Sequence, residues 1–171
     1  MKTTRLVMAL GIAAGVFAAP AMAAGNLLKF EGGIGVHPVA GIANNAPVLN
    51  IVNGVNPGGR PWVINKLKVT VKDDGSISAK GEGLVLAAGA AIGTAGAINS
   101  VAATLFCGGQ PFDSGATPLS ASGNFVISGS LSALPPNPCT TPVLLIRNAP
   151  AVNGAVTLGS WFAAGIPGDE D

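Results

Sequence analysis

The sequence carries few side chains that could perform acid–base or nucleophilic chemistry. His37 is its only histidine, and tyrosine is absent from all 171 residues. Because imidazole has the side-chain pKa nearest to neutral pH, a chain with one histidine is poorly equipped for general acid–base catalysis. No serine lies in the Gly-x-Ser-x-Gly turn that presents many hydrolase nucleophiles. We therefore expect no catalytic residues and a protein that is not an enzyme, with His37 as an ordinary surface or loop residue.

Metal and cofactor sites have equally little support. A zinc or copper site needs several histidine, cysteine or carboxylate ligands, and these residues are few and dispersed here. Asp73 and Asp74 could attract calcium weakly, but they lack the alternating ligand spacing of a dedicated calcium loop. The glycine-rich run at residues 32–35 has neither the Lys-Ser/Thr pair of a Walker loop nor the complete dinucleotide-binding fingerprint. We expect no metal and no cofactor.

Four lysines form the first candidate ligand-binding surface. Lys66, Lys68 and Lys72 fall on one face of a predicted strand, and Lys80 can join them across a hairpin. Such a basic stripe could contact an anionic polymer of the cell surface. The alternative interpretation is a solvated sheet face with no ligand.

The two tryptophans, Trp62 and Trp161, are the other candidate ligand-binding residues. An exposed indole offers a flat apolar platform to a sugar ring or a partner protein. The alternative is that both fill the core of a domain with few aromatic residues. Trp161 and Phe162 are adjacent, so in a strand they point to opposite faces, and at least one is expected to be accessible unless both faces are covered.

A hairpin is the clearest structural element in the sequence. Apolar and polar side chains alternate from Trp62 to Lys72, which predicts a strand with one buried face. The turn residues Asp73-Asp74-Gly75 follow, and a second strand is predicted from Ser76 to Leu86 with its polar side chains on one face. The apolar face of the first strand is predicted to contain Val63, Leu67, Val69 and Val71.

Further short strands are separated by segments that do not suit a central strand. The segment from Ala87 to Ala97 is almost entirely Ala and Gly, and it favours a loop or a short helical turn. The segment from Leu134 to Pro142 carries four prolines and predicts an extended loop. The other strands are predicted at Leu27 to Glu31, Val48 to Val52, Ser100 to Cys107, Asn124 to Leu131, Val143 to Asn148 and Ser160 to Ala164.

Composition narrows the fold class. The chain contains 25 Gly and 13 Pro, too many for a helix bundle, while 49% hydrophobic residues is too high for a disordered chain. Many short strands without intervening amphipathic helices indicate an all-β fold. We predict an antiparallel β-sandwich of Greek-key or immunoglobulin-like type, or a small barrel.

The N-terminal residues are typical of a secretory signal peptide. Lys2 and Arg5 precede an apolar stretch at residues 6–18, and small residues favour cleavage after Ala23. We therefore expect residues 1–23 to be removed and residues 24–171 to form a single domain. No later segment is long and apolar enough to predict a membrane span, so we expect a secreted or periplasmic mature protein.

Cys107 and Cys139 are the only cysteines, an even pair in a chain that we expect to be exported. This pattern predicts a disulfide rather than a metal or catalytic site. In the loop-entropy model, a bridge that closes about 33 residues stabilises the folded domain by about 3 to 4 kcal/mol.

Charge argues against nucleic acid as a partner. Only 10% of the residues are charged, and the formal charge is +1. Loss of Lys2 and Arg5 with the leader changes that charge to −1, and phosphate contacts require many more cations.

Five segments resemble those of an uncharacterised family of exported bacterial β-sandwich proteins. The resemblance covers most of the mature chain and implies a shared fold, with no named activity. The segments are residues 30–39 (FEGGIGVHPV), 56–63 (NPGGRPWV), 103–107 (ATLFC), 138–147 (PCTTPVLLIR) and 161–167 (WFAAGIP).

The Gly-Gly-x-x-Val-x-Pro-Val stretch at residues 32–39, followed by hairpins, is also similar to chordin-type (CHRD) sandwich domains. The His-x-His element of those domains is missing here, so the similarity implies no metal or ligand role for this chain.

These observations lead to two hypotheses about function. The first is a non-enzymatic exported β domain that acts in interaction or assembly at the cell envelope, through self-association or with an envelope protein or polymer. The second is a module that binds carbohydrate or an anionic envelope polymer through a tryptophan and the lysine stripe.

Overall fold

The computed structural model describes residues 24–152 and 155–168, and within these ranges the chain is built from β-strands, turns and loops without a helix. The predicted leader, residues 1–23, lies outside the described residues. The first seven strands are β1 (Asn26–Gly35), β2 (Val39–Ala43), β3 (Ala46–Leu49), β4 (Trp62–Val63), β5 (Lys66–Lys72), β6 (Ser76–Glu82) and β7 (Val85–Leu86).

The remaining eight strands complete the fold. They are β8 (Ser100–Cys107), β9 (Gln110–Asp113), β10 (Thr117–Pro118), β11 (Phe125–Ser130), β12 (Val143–Asn148), β13 (Ala151–Val152), β14 (Ala155–Val156) and β15 (Trp161–Pro167). No helix among the described residues has the length and apolar character needed to cross a membrane.

Nine strands form one antiparallel sheet in the order β10-β8-β12-β15-β1-β5-β6-β11, and β9 pairs with the same edge of β8 as β10. The sheet curls strongly, so that β10 at one end contacts β11 at the other. At this junction the Thr117 hydroxyl donates a hydrogen bond to the Val126 carbonyl over 2.7 Å. The predicted all-β, antiparallel fold is therefore confirmed, as is its single disulfide.

The core lies on the concave face of the curled sheet. Large apolar side chains from β1, β5, β8 and β12 meet there, and the largest of them are fully buried. Close packing of this kind supplies most of the favourable free energy of a β domain. The central members are Phe30, Val69, Leu105, Leu144 and Ile146.

The predicted hairpin is confirmed as β5 and β6. Buried and exposed residues alternate along both strands, with the turn at residues 73–75, where Gly75 has a φ of 79°. The burial of Leu67, Val69 and Val71 agrees with the predicted apolar face.

One part of that prediction is wrong. The strand predicted from Trp62 to Lys72 breaks at Ile64 and Asn65, and the strand predicted from Ser76 to Leu86 breaks at residues 83–84. Trp62–Val63 still pairs with β7, but in a separate two-stranded sheet. The break reverses the alternation, because Trp62 is buried and Val63 is exposed. Val63 therefore does not belong to the apolar face.

The two segments rich in glycine or in proline, residues 87–97 and 134–142, form no strand, as their composition predicts. Residues 87–97 form consecutive turns rather than a helix, held by hydrogen bonds such as Gly93 N–H to the Leu86 carbonyl. Residues 134–142 form a loop without regular structure. Strands were predicted correctly at Ser100–Cys107 and Val143–Asn148, whereas the strand predicted at Val48 to Val52 is replaced by the earlier β3.

Candidate functional site

The four predicted lysines lie on the convex face of the β5–β6 hairpin. Lys68 on β5 is directly opposite Lys80 on β6, and Lys66 is directly opposite Glu82. Two like charges in direct opposition across strands are destabilising unless other groups compensate them. The strands thus hold three cations close together at one end of the hairpin, with Lys72 at the other end.

Two glutamates compensate part of this charge. The Glu82 carboxylate forms ion pairs with two lysines, 2.9 Å from Lys80 Nζ and 3.5 Å from Lys66 Nζ. The carboxylate of Glu31 on β1 lies 3.3 Å from Lys68 Nζ. The hydrogen bond from Lys80, together with the charges of Lys80 and Lys66, lowers the pKa of Glu82 below its usual range. Three ammonium groups against two carboxylates leave one positive charge uncompensated at this position.

Two open depressions meet at Lys80 and Glu82. The first, of about 420 Å³, is lined by Lys66, Lys68 and neighbouring residues of β1 and β5. The second, of about 560 Å³, continues across β6 towards β10 and β11, where Thr117, Pro118, Ser120, Asn124 and Val126 line it. We call the two together the lysine groove.

Lys72 lies outside this groove. Lys72 is the last residue of β5 and directly precedes the turn. In that turn the Asp74 carboxylate accepts a hydrogen bond from the Ser76 backbone N–H over 2.8 Å. Hydrogen bonding from Ser76 lowers the pKa of Asp74, and the charge of Lys72 acts in the same direction. The sequence therefore predicted four lysines on one face correctly, but the structure brings only three of them together.

Both tryptophans are buried in the structure. Trp62 stacks on Phe162 with ring centroids 4.3 Å apart, and the indole N–H of Trp161 donates to the Asn50 carbonyl over 3.0 Å. Trp161 and Phe162 are both buried, so both faces of β15 are covered at this point. Because a buried indole presents no face to a sugar ring, the candidate ligand surface consists of lysines without tryptophans.

The Trp62–Phe162 pair does form the floor of an apolar depression of about 370 Å³, which includes Arg60 and Leu86. Trp62 is only 5% exposed there. This exposed area is too small for stacking against a ring.

The disulfide joins Cys107 at the end of β8 to Cys139 in the proline-rich loop, with 5.0 Å between Cα atoms. This bridge was predicted correctly. It attaches a long loop to the end of β8 in the main sheet, which is a structural role.

A hairpin that the sequence did not predict projects between β1 and β4. Among the strands that the structure describes, β2 and β3 pair only with each other, and every residue from Ala40 to Leu49 is exposed. Asn44 and Asn45 form the tip with φ angles of 50° and 60°, as a tight type I′ turn requires. We call residues 39–49 the projecting hairpin.

The projecting hairpin is apolar. Ile42 is 78% exposed, Leu49 is 52% exposed and Val48 is 44% exposed. No charged residue occurs from residue 38 to residue 59. The sequence signal for this feature was a pair of asparagines within a long uncharged stretch. A search for alternating apolar and polar residues finds strands with one buried face, and it does not find this hairpin.

His37 lies at the base of the projecting hairpin. Its Nδ1 is 2.8 Å from the Val39 carbonyl, and its own carbonyl accepts the side-chain amide of Asn50 over 3.1 Å. These contacts fix the base of the hairpin. Among the described residues, no second chemically reactive side chain takes part in these contacts.

A polar cluster formed by Thr104, Asp113 and Arg147 was also missed. The fully buried Thr104 hydroxyl donates to the Asp113 carboxylate over 2.6 Å, and an Arg147 N–H points to Thr104 over 3.4 Å. Arg147 also donates to the Gly159 carbonyl over 3.0 Å, and its burial lowers its pKa, although the charge of Asp113 opposes this change. Because Thr104 has no access to solvent, the cluster ties β8, β9 and β12 together without offering a reactive hydroxyl.

Within residues 24–152 and 155–168, no three histidine, cysteine, aspartate or glutamate side chains are placed to share a metal ion.

Comparison of the chain with protein-family models, with curated proteins and with solved structures finds no match. The resemblance to exported β-sandwich proteins and to CHRD domains stays a prediction, and function must be argued from the surfaces themselves.

Proposed function

We propose that this chain is a non-enzymatic domain that is exported and acts in interaction or assembly at the cell envelope. The observation that carries this proposal is the projecting hairpin, an uncharged, apolar pair of strands that the rest of the described chain does not cover. Exposed apolar surface is costly in water unless a partner covers it.

Backbone geometry supports a protein partner. A hairpin that pairs only with itself has unpaired N–H and C=O groups along both outer edges, and such edges recruit further strands. Pro47 removes one backbone donor from β3, while β2 contains no proline. The outer edge of β2 is thus the edge better suited to pairing with another strand.

Self-association is the form of this proposal that purified protein can test. We expect the sedimentation coefficient of residues 24–171 to rise with concentration. Ile42→Lys should suppress this rise, because it places a charge in the apolar contact. Ile92→Lys is the matched control, since Ile92 is also an exposed isoleucine (62%) and lies in a different segment.

A monomeric sedimentation coefficient at every concentration would contradict assembly by self-association. Equal suppression by Ile42→Lys and Ile92→Lys would show that the association does not use the projecting hairpin.

A further inference from the structure

We infer that the lysine groove binds an oligosaccharide that carries acidic groups. This inference is independent of the projecting hairpin, which lies on different strands and takes no part in the groove. Three features of the groove support it: the way its charges are held, its spare hydrogen-bonding capacity, and the difference between its two halves.

The three ammonium groups are oriented before any ligand arrives. Glu82 holds Lys66 and Lys80 with its two carboxylate oxygens, and Glu31 holds Lys68. An ordered cation loses less conformational freedom when a ligand binds, which favours affinity. The glutamates thus position the lysines as well as compensating their charge.

The lysines keep donors for a ligand. Each ammonium group has three N–H donors, and one donor to a carboxylate leaves two free on each lysine. Their side chains are about 70% exposed, so these donors face solvent. An anionic group placed between Lys68 and Lys80 would relieve the direct opposition of two like charges and would balance the third cation.

The second half of the groove has a different character. Apart from the shared Lys80 and Glu82, its lining carries no charge and consists of hydroxyl, amide and apolar groups, including Ser120, Asn124 and Val126. Hydroxyl and amide groups suit the hydroxyls of a sugar, and the exposed Val126 side chain suits the apolar face of a sugar ring. A ligand that matches both halves has an acidic group at one end and neutral sugar at the other.

The test measures binding of residues 24–171 to acidic hexasaccharides by calorimetry. The probes are oligogalacturonate, hyaluronate and polysialate fragments, with methyl-esterified oligogalacturonate as the neutral analogue and a polyphosphate of similar charge as the non-sugar control. We expect at least one acidic hexasaccharide to bind, and its neutral analogue and polyphosphate to bind at least about tenfold more weakly.

Two pairs of variants locate the site. The double substitution Lys68→Gln and Lys80→Gln should weaken binding at least about tenfold, whereas Lys72→Gln, on the same face but outside the groove, should change it less than about twofold. Val126→Trp should block the neutral half, whereas Ser128→Trp, the next outward position on β11, should leave binding unchanged. Circular dichroism checks that each variant is folded.

Three results would overturn the inference. One is failure of every acidic hexasaccharide to bind. Another is an equal effect of the Lys68/Lys80 and Lys72 substitutions. The last is polyphosphate binding as tightly as the sugars with Val126→Trp having no effect, which would indicate attraction to charge alone. Ile42→Lys should leave sugar binding unchanged, so this experiment and the assembly test can fail separately.

Discussion

The two large hairpins of this molecule differ in almost every physical property. The hairpin of β5 and β6 buries alternate side chains in the core, carries four lysines on its outer face and belongs to the nine-stranded sheet. The projecting hairpin carries no charge, buries none of residues 40–49 and, within residues 24–152 and 155–168, pairs only with itself. The first hairpin therefore contributes to folding, and the second is available for contact with a partner.

This difference shows that apolar content alone does not place a strand in the core. Ile42 is as hydrophobic as the buried Ile77, yet it stays in solvent because none of the other strands in the described part of the chain packs on the projecting hairpin. A two-stranded hairpin is at best marginally stable in water by itself. The contacts of His37 and Asn50 at its base are therefore important for keeping the projecting hairpin in place.

The largest expected contrast is between core and hairpin substitutions. Phe30→Ala should lower the free energy of unfolding by about 3–5 kcal/mol, because it removes a fully buried ring. Ile42→Ala should change that free energy by less than about 0.5 kcal/mol, because its side chain is in solvent. Urea unfolding of dilute protein measures both, and a loss above about 2 kcal/mol for Ile42→Ala would contradict the contrast.

Removing the disulfide should have the next largest effect. Replacing Cys107 and Cys139 with Ala frees the loop of the unfolded chain, and the free energy of unfolding should fall by about 3 to 4 kcal/mol. The corresponding fall in the thermal midpoint is roughly 10 °C. Scanning calorimetry of oxidised wild type and the double variant measures it. Equal midpoints would show that the bridge does not stabilise the main sheet.

Hydrogen exchange should distinguish the two hairpins within one molecule. In dilute protein, the amides of residues 39–49 should exchange at least about tenfold faster than those of residues 66–72, after correction for intrinsic rates. The reason is that few buried contacts oppose local opening of the projecting hairpin. Equal protection in the two segments would mean that the projecting hairpin is held as firmly as the main sheet.

Loss of the Glu82 charge in acid should produce the smallest effect. Lys80 and Lys66 lower the pKa of Glu82 in the folded state, so the ion pairs of Glu82 stabilise the fold at pH values above the usual carboxyl range. This stabilisation is lost as the pH falls through the lowered pKa. Between pH 6 and pH 3, the thermal midpoint of wild type should therefore fall slightly more than that of Glu82→Gln. An identical fall would contradict the role of Glu82 in the lysine groove.

The sequence was sufficient wherever one face of a strand is buried. Alternation along β5 and β6 led to a correct prediction because burial of one face imposes a period of two on the chain. The disulfide followed from the even pair of cysteines, and β8, which is buried on both faces, followed from its continuous apolar run. The breaks at residues 64–65 and 83–84 could not be predicted, because the Leu84 N–H donates to the carbonyl of Gly123, which lies in a segment distant in sequence.

The candidate surfaces were only partly predictable. The shared face of the lysines followed from their spacing, but the role of Glu31 depends on β1 lying beside β5, which no local pattern reveals. The burial of Trp62 and Trp161 likewise depends on long-range contacts, with Phe162 and with the Asn50 carbonyl. The projecting hairpin was missed because the absence of burial leaves no periodic pattern.

The most direct test of the account is site-specific crosslinking of the projecting hairpin in its native envelope. A photoreactive phenylalanine analogue placed at Ile42 should give a defined protein adduct, identified by mass spectrometry as a second copy or one envelope protein. The same analogue at Ile92 should give none. Absence of any adduct at position 42, or the same adducts at both positions, would contradict the claim that this hairpin is the contact surface.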